Sequence, residues 1–513
     1  MQQKWSFHDQ VERWDVFEVR VSGPKEGNPF AEQWIRGVFT GAQESVQADG
    51  FYDGDGQYAV RFMPSFTGEY AFSIEASFLA EPLTGRFEAT PAMQGNHGPV
   101  HVASTYHFAY EDSTPYLSLG TTCYVWALQS DELIAQTLET LKHSAFNKIR
   151  FCVFPKHYDY NLNEPRSYPY AGTPMDSSVL TPEKFQQYTD KTEGSHWDFT
   201  RFNPEHFRHL EKCILALREM GIEADLILFH PYDRWGFSRM TREQDEFYLR
   251  YVLARFAAFR NIWWSLANEY DIFPHKELAD WERIAEVVCA CDPYHHLRSI
   301  HNCLTMYDFT RPWITHCSIQ RVDVYKCVEQ VEEFRVRYGK PVVLDEIAYE
   351  GDIQHGWGNL TGEEMVRRFW ESAVRGGYPG HGETFLGHEG VLWWSHGGKL
   401  HGDSPERFML LRDVLAQTPG LGLKPYAFSW DCVCGVPESP AHQGEYYLLY
   451  FSFMRPGFRD FHLDDEHSYR VRVIDTWNGT IEDRGAFTGA FRVPLPARPY
   501  MAIQIIRENN PLF

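Results

Sequence analysis

Three patterns of apolar and polar positions follow one another along the chain. From residue 1 to about 95, apolar and polar residues alternate in WDVFEVRV (14–21), QYAVRFMP (57–64) and EYAFSIEASF (69–78), broken by turn-forming stretches such as FYDGDGQ (51–57). Period-two alternation bounded by turns predicts a small antiparallel sandwich. The same pattern returns after residue 416, in EYYLLYFSF (445–453), SYRVRVIDTWNGT (468–480) and YMAIQIIRE (500–508), where WNGT reads as a hairpin turn and a second sandwich is expected. Between them short apolar strands alternate with stretches whose apolar residues recur every three or four positions, such as HFRHLEKCILALREMG (206–221) and ADWERIAEVVCA (279–290).

That alternation is the signature of parallel β/α units. Strands are expected at 115–122, 146–154, 223–230, 261–268, 297–302, 314–320, 341–348 and 390–396. Eight of them suit a closed (β/α)8 TIM barrel. A doubly wound sheet would carry a glycine-rich phosphate turn after an early strand, and no G-x-G-x-x-G opens a helix here. The expected organisation is an α/β barrel over 96–415, with β-sandwich domains at 1–95 and 416–513.

Composition narrows the partners. The formal charge of −22 and the absence of any Lys/Arg-rich run work against a nucleic-acid backbone. Nowhere do 18 apolar residues run together and the start MQQKWSFHDQ has no apolar core, so neither a membrane span nor a signal peptide is expected, and a cytoplasmic location is. Ten scattered cysteines fit reduced thiols better than a disulfide framework. Neither CAC (289–291) nor CVC (432–434) has zinc-site spacing, and no H-x-H or H-E-x-x-H occurs, so no metal or cofactor is expected. Aromatics reach 16%, which serves a core but also provides the flat platforms that sugars stack on.

In a barrel of this kind chemistry gathers where the strands end, so polar residues closing an apolar strand are the candidates. IWWSLANEYD (262–271) ends on Asn268 and Glu269, and PVVLDEIAYEG (341–351) carries Glu346. Two carboxylates on opposite strands can face each other across the barrel mouth. Splitting a glycosidic bond needs such a pair, one carboxyl protonated and one ionised, and repulsion with unequal burial separates their pKa values. A retaining pair would stand roughly 5 Å apart. Asn268 could hold the sugar's 2-hydroxyl. The blander reading of Glu269 is a helix cap, and Asp345 competes with Glu346, although neighbours on a strand face opposite sides.

WWSLANE with PVVLDEIAYEG resembles the retaining clan A glycoside hydrolases. FAYEDSTPYLSLGTT, FNKIRFCVFPKHYDY, LILFHPYDRWGF, RSIHN, HGETF and VLWWSHGG resemble the apiosidase-like group within that clan, and GFYDGDGQYAVRFMPSFTGEYAFSIEAS is similar to the Ig-like domain that precedes such barrels. The resemblance implies Glu269 as acid/base and Glu346 as nucleophile, with support from Arg150, His230, His301, Asn302 and Trp394. It also implies a terminal sugar, apiose or another furanose, as the target in a short oligosaccharide or plant glycoside. Many clan members hydrogen-bond the nucleophile from a Tyr after strand six. Here that strand ends in Ser318 and Gln320, with Tyr325 further on, so the residue that orients Glu346 stays open. Trp126, Trp235, Trp394 and His396 are candidate sugar platforms, with Trp126 and Trp394 preferred. Of the loop carboxylates Glu350, Glu383 and Glu389, Glu383 between glycines is favoured as a ligand. Two other classes stay in view: a sugar-binding protein without catalysis, and a metal-dependent hydrolase, which chelator-resistant activity would exclude.

Overall fold

Eight parallel strands follow one another in chain order around a barrel in the computed structural model, in which residues 4–176, 194–387 and 392–508 are described. They are Gly120–Thr122, Lys148–Cys152, Glu223–Phe229, Ile262–Ala267, Arg298–Ser299, Cys317–Gln320, Val342–Glu346 and Tyr378–His381, and the eighth pairs with both the first and the seventh. Strands five and six share one ladder bridge, His301 to Ser318. Side chains supplement that seam. Thr315 Oγ1 accepts from the Arg298 amide at 2.8 Å, and the Asn302 side chain both donates to the Gln320 carbonyl and accepts from its amide, each at 3.2 Å.

The first seven strands overlap the positions that the apolar pattern predicts, and the eighth does not. GVLWWSH was the expected eighth strand, but Trp393–His396 forms one helical turn, and the start of that stretch lies outside the described residues. The real strand is YPGH, four residues holding a proline and a glycine, which carry almost no strand signal. Gly380 is there because a Cβ would come within 2.6 Å of the Asp345 carbonyl oxygen on the neighbouring strand.

Capped helices separate the strands. Asn203 caps Pro204–Glu219, Thr241 and Gln244 form a capping box on Arg242–Phe256, and Thr361 caps Gly362–Val374. Inside the barrel the filling is ionic as well as apolar: Lys148 Nζ lies 2.7 Å from both Asp225 Oδ2 and Asp345 Oδ1, and Ser318 Oγ donates to Asp345 at 2.5 Å. Burial alone would raise the Asp345 carboxyl pKa, yet Lys148 and Arg150 outweigh it and hold the group low.

Largely antiparallel sheets stand at both ends of the chain. At the N-terminus a four-stranded and a five-stranded sheet close on an aromatic core, where Phe17 stacks on Phe87 and Phe39 on Phe62. The C-terminal sandwich packs a six-stranded against a two-stranded sheet over Leu449, Phe461, Val471, Val493 and Ile503. Its Tyr469–Asp475 and Thr480–Phe487 strands are joined by the turn in WNGT. An ion cluster fastens the N-terminal sandwich to the barrel helices: Arg61 reaches Glu211 at 2.7 Å, and Arg255 reaches Asp53 at 2.7 Å. All ten cysteines are free thiols, and no described helix is long and apolar enough to cross a membrane.

Candidate active site

A cavity of about 230 Å³ opens at the carboxyl ends of the strands, lined by Glu269 and Glu346 together with Tyr124, Lys156, Tyr158, Tyr232, Cys303, Gln320, Val322, Tyr349, Trp357 and Trp394. Both carboxylates are buried, each 6% exposed. Glu269 arrives there through an unusual backbone. The strand Ile262–Ala267 ends, and Glu269 adopts φ 52°, ψ 56°, the left-handed region that a residue with a Cβ seldom enters. It precedes a single 3-10 turn and makes no side-chain cap to it. The next acidic residue, Asp271, instead accepts the amides of Cys303, Leu304 and Thr305 at 2.6–2.7 Å, tying the end of strand four to the loop after strand five.

Glu346 sits at the end of strand seven, where the pairing with strand six slips between Ser318 and Gln320. That irregularity lets Asp345 point into the barrel toward Lys148 while Glu346 still reaches the cavity. The environments of the two glutamates differ. Tyr124 donates its hydroxyl to Glu346 Oε1, Arg150 Nη1 stands 3.4 Å from the same oxygen and His301 Nε2 3.8 Å from it. Tyr124 and Arg150 also meet on Asn268 Oδ1, at 3.2 and 2.7 Å, while the Asn268 amide nitrogen has no acceptor among the described residues. A hydroxyl and a guanidinium thus stabilise negative charge at this end. At the other, Tyr232 donates to Glu269 Oε2. Burial first, then the charge of Glu346, raise the Glu269 pKa above its ordinary value against the opposing pull of Lys156, Tyr232 and Gln320.

Of the residues singled out in the sequence, Glu269, Glu346 and Trp394 line this cavity, Arg150 and His301 stand against Glu346, and Asn268 is bonded by Arg150. Trp394 does so from the helical turn rather than from a strand. Trp126, His230 and Glu383 lie elsewhere. Trp126 is fully buried against Phe151, His230 faces the Phe154 carbonyl at 3.3 Å with burial holding its pKa down to about 3, and Glu383 accepts the amides of His401 and Gly402. Burial pushes the Glu383 pKa up to about 8. Of the other candidates, Trp235 is buried outside the lining, His396 contacts Asn161 at 3.0 Å, and Glu350 holds the Asp403 and Ser404 amides; Glu389 lies outside the described residues.

Sequence reasoning missed Tyr158, Cys303, Tyr349 and Trp357 of this lining, and also three residues that touch or flank the glutamates. Tyr124 follows strand one by two residues, Lys156 follows strand two by four, and Tyr232 follows strand three by three. Their common signal is a phenol or ammonium shortly beyond a strand, on the turn rather than the strand itself.

Comparison with known proteins bears on the whole chain. Residues 103–443 match the family described as apiosidase-like, catalytic domain, and residues 10–77 and 430–506 match two families described as domains of unknown function. A protein of Bacteroides vulgatus ATCC 8482, described as a candidate glycoside hydrolase, is 34% identical with a TM-score of 0.88, the match covering 98% of this chain and 100% of that one. A glycoside hydrolase family 5 protein of the same organism is similar in fold, at 15% identity and a TM-score of 0.59, over 82% of this chain and 95% of the other. No curated protein matches.

Proposed function

The chain belongs to the apiosidase-like catalytic domain family and is a glycoside hydrolase, and from that premise we propose that it works with retention, Glu346 as nucleophile and Glu269 as acid/base. The observation that carries this reading is the pairing of two buried carboxylates in one cavity, one with its pKa raised and the other bonded by a phenol and flanked by a guanidinium. In the first step Glu269 gives its proton to the departing glycosidic oxygen while Glu346 attacks the anomeric carbon, forming a glycosyl ester. In the second, Glu269 removes a proton from water, which displaces Glu346 and leaves the sugar with its original configuration. Tyr124 and Arg150 orient Glu346, the role left open by the missing Tyr after strand six. Asn268, with its amide free, is assigned the 2-hydroxyl, a contact that strengthens in the oxocarbenium-like transition state.

Tyr158, Trp357 and Trp394 put aromatic walls on the cavity, and we assign to it the terminal residue of the substrate. Apiose or another furanose, carried by a short oligosaccharide or plant glycoside, is the substrate class that the family points to. We assign the chemistry to residues 96–415 and a bracing role to the sandwiches at 1–95 and 416–513. Ten free thiols favour action in a reducing, cytoplasmic setting. The test uses a screen of aryl glycosides, apioside and arabinofuranoside included, with the product anomer followed by proton NMR. Glu346→Ala is expected to abolish turnover while sugar binding survives. Unchanged turnover removes Glu346 as nucleophile, and an inverted product removes the double displacement.

A further inference from the structure

Lys156 is the cavity residue without an evident structural task. Three lysines of the described chain are buried, and two are held as buried ammonium groups usually are. Lys148 lies 2.7 Å from each of two aspartates, and Lys276 lies 2.5 Å from Asp245. Lys156 has neither an ion-pair carboxylate nor a hydrogen-bond acceptor among the described residues. Its Nζ rests instead on ring faces, 3.3 Å from the centroid of Tyr124, 4.4 Å from Tyr232, 4.8 Å from Trp394 and 5.8 Å from Tyr158. Cation–π contact offsets part of the cost of dehydrating the ammonium, but leaves its three N–H donors without oxygen partners.

The placement is informative because the rings are shared. Tyr124 gives its hydroxyl to Glu346 and Tyr232 gives its hydroxyl to Glu269, and the faces of both rings hold Lys156. The ammonium therefore lies beside the space between the two carboxylates. Its loop is fixed independently of any ligand: Asn161 donates to the Lys156 carbonyl, and the His157 amide donates to the Tyr232 carbonyl at 2.9 Å. Burial leaves the amine with a pKa lowered to about 8, so it still carries a proton at neutral pH.

We propose that Lys156 is a specificity-determining residue whose ammonium donates hydrogen bonds to hydroxyl oxygens of the reacting sugar. This rests on the two-glutamate reading only for where the reacting sugar sits. A neutral glycone supplies the missing acceptors without bringing a further anion between Glu269 and Glu346, which is why hydroxyls rather than a sugar carboxylate are assigned.

The experiment compares wild type with Lys156→Met and Lys156→Gln on the best aryl glycoside, on its monodeoxy analogues, and on the analogue carrying a carboxylate. Lys156→Met is expected to lose about 10- to 100-fold in kcat/KM on the parent, the range for one hydrogen bond to a charged donor. Wild type should lose a similar factor on one monodeoxy analogue, and Lys156→Met should no longer distinguish that analogue from the parent. A merely structural lysine would lower every rate and keep the wild-type ranking, and that ranking in both variants overturns the proposal. A wild-type preference for the carboxylate sugar that vanishes in Lys156→Met overturns the hydroxyl assignment. Calorimetric binding of the free monosaccharide and its deoxy analogues to Glu346→Ala, with and without Lys156→Met, reads the same selectivity without turnover. A failed nucleophile assignment is thereby kept apart from a failed assignment of Lys156.

Discussion

Replacing Glu269 by Gln separates the acid role from every other contact that this side chain makes. The two side chains have nearly the same shape, so the Tyr232 hydroxyl keeps an oxygen to donate to, and what disappears is the transferable proton and the charge. General acid assistance contributes about 10²- to 10⁴-fold, which corresponds to about 3–5 kcal/mol of barrier. That loss should appear in full for an alkyl or unactivated phenyl leaving group. For a dinitrophenyl leaving group, which departs without a proton, the first step should slow by less than about tenfold. Steady-state kinetics over a series of aryl glycosides of graded leaving-group pKa measures this directly. Equal losses across the series would refute the acid assignment. The same variant has a second signature. Burial and Glu346 raise the Glu269 pKa in the folded state, so the native protein holds this proton more tightly than the unfolded chain. The stability that this residue contributes is then complete below its ordinary value of 4.5 and is lost as pH rises through the raised folded value. Glutamine does not titrate, so Glu269→Gln should gain Tm relative to wild type as pH rises above 4.5. A difference independent of pH would contradict the electrostatic account of the cavity.

Two further outcomes follow from neighbouring contacts. Tyr124→Phe removes the hydroxyl that bonds both Glu346 and Asn268, and kcat/KM should fall about 10- to 100-fold, as for a hydrogen bond to a charged group; a rate within twofold of wild type would remove Tyr124 from the positioning of the nucleophile. Lys148→Met leaves Asp225 and Asp345 facing each other without their shared cation, at a cost of about 3–5 kcal/mol, to be read as a lowered midpoint in urea, and an unchanged midpoint would show that the cluster is indifferent to its cation.

The barrel is legible where side-chain period carries the information. Strands three, four and seven carry the apolar runs LILF, IWWSLA and VVL, followed by His230, by Asn268 and by Asp345 with Glu346, so both their position and their chemical end could be read. Tyr378–His381 is selected by close backbone approach at Gly380 rather than by side-chain burial, and periodicity does not record that. The same distinction separates the residues of the site. Glu346 closes a strand and Glu269 follows the long apolar run of strand four by two residues, whereas Tyr124, Lys156 and Tyr232 stand on turns after strands with no comparable signal at that offset. His230 directly follows its strand and Trp126 stands four residues beyond its own, yet the turns carry both into packing and bring their neighbours Tyr232 and Tyr124 to the mouth. Turn geometry is a tertiary outcome, so no spacing rule separates the two members of each pair.

The ion cluster joining the N-terminal sandwich to the barrel limits how this chain can be shortened. Arg255 is wholly enclosed on a barrel helix and bonds two carboxylates, Glu211 of the barrel and Asp53 of the sandwich. Excising the barrel as a portable catalytic cassette would leave that guanidinium with Glu211 alone, withdraw Phe51 from its face and wet the apolar ground around it. The leading segment is in this sense part of the machine's chassis, and gene fusions or domain swaps should carry it along with the barrel.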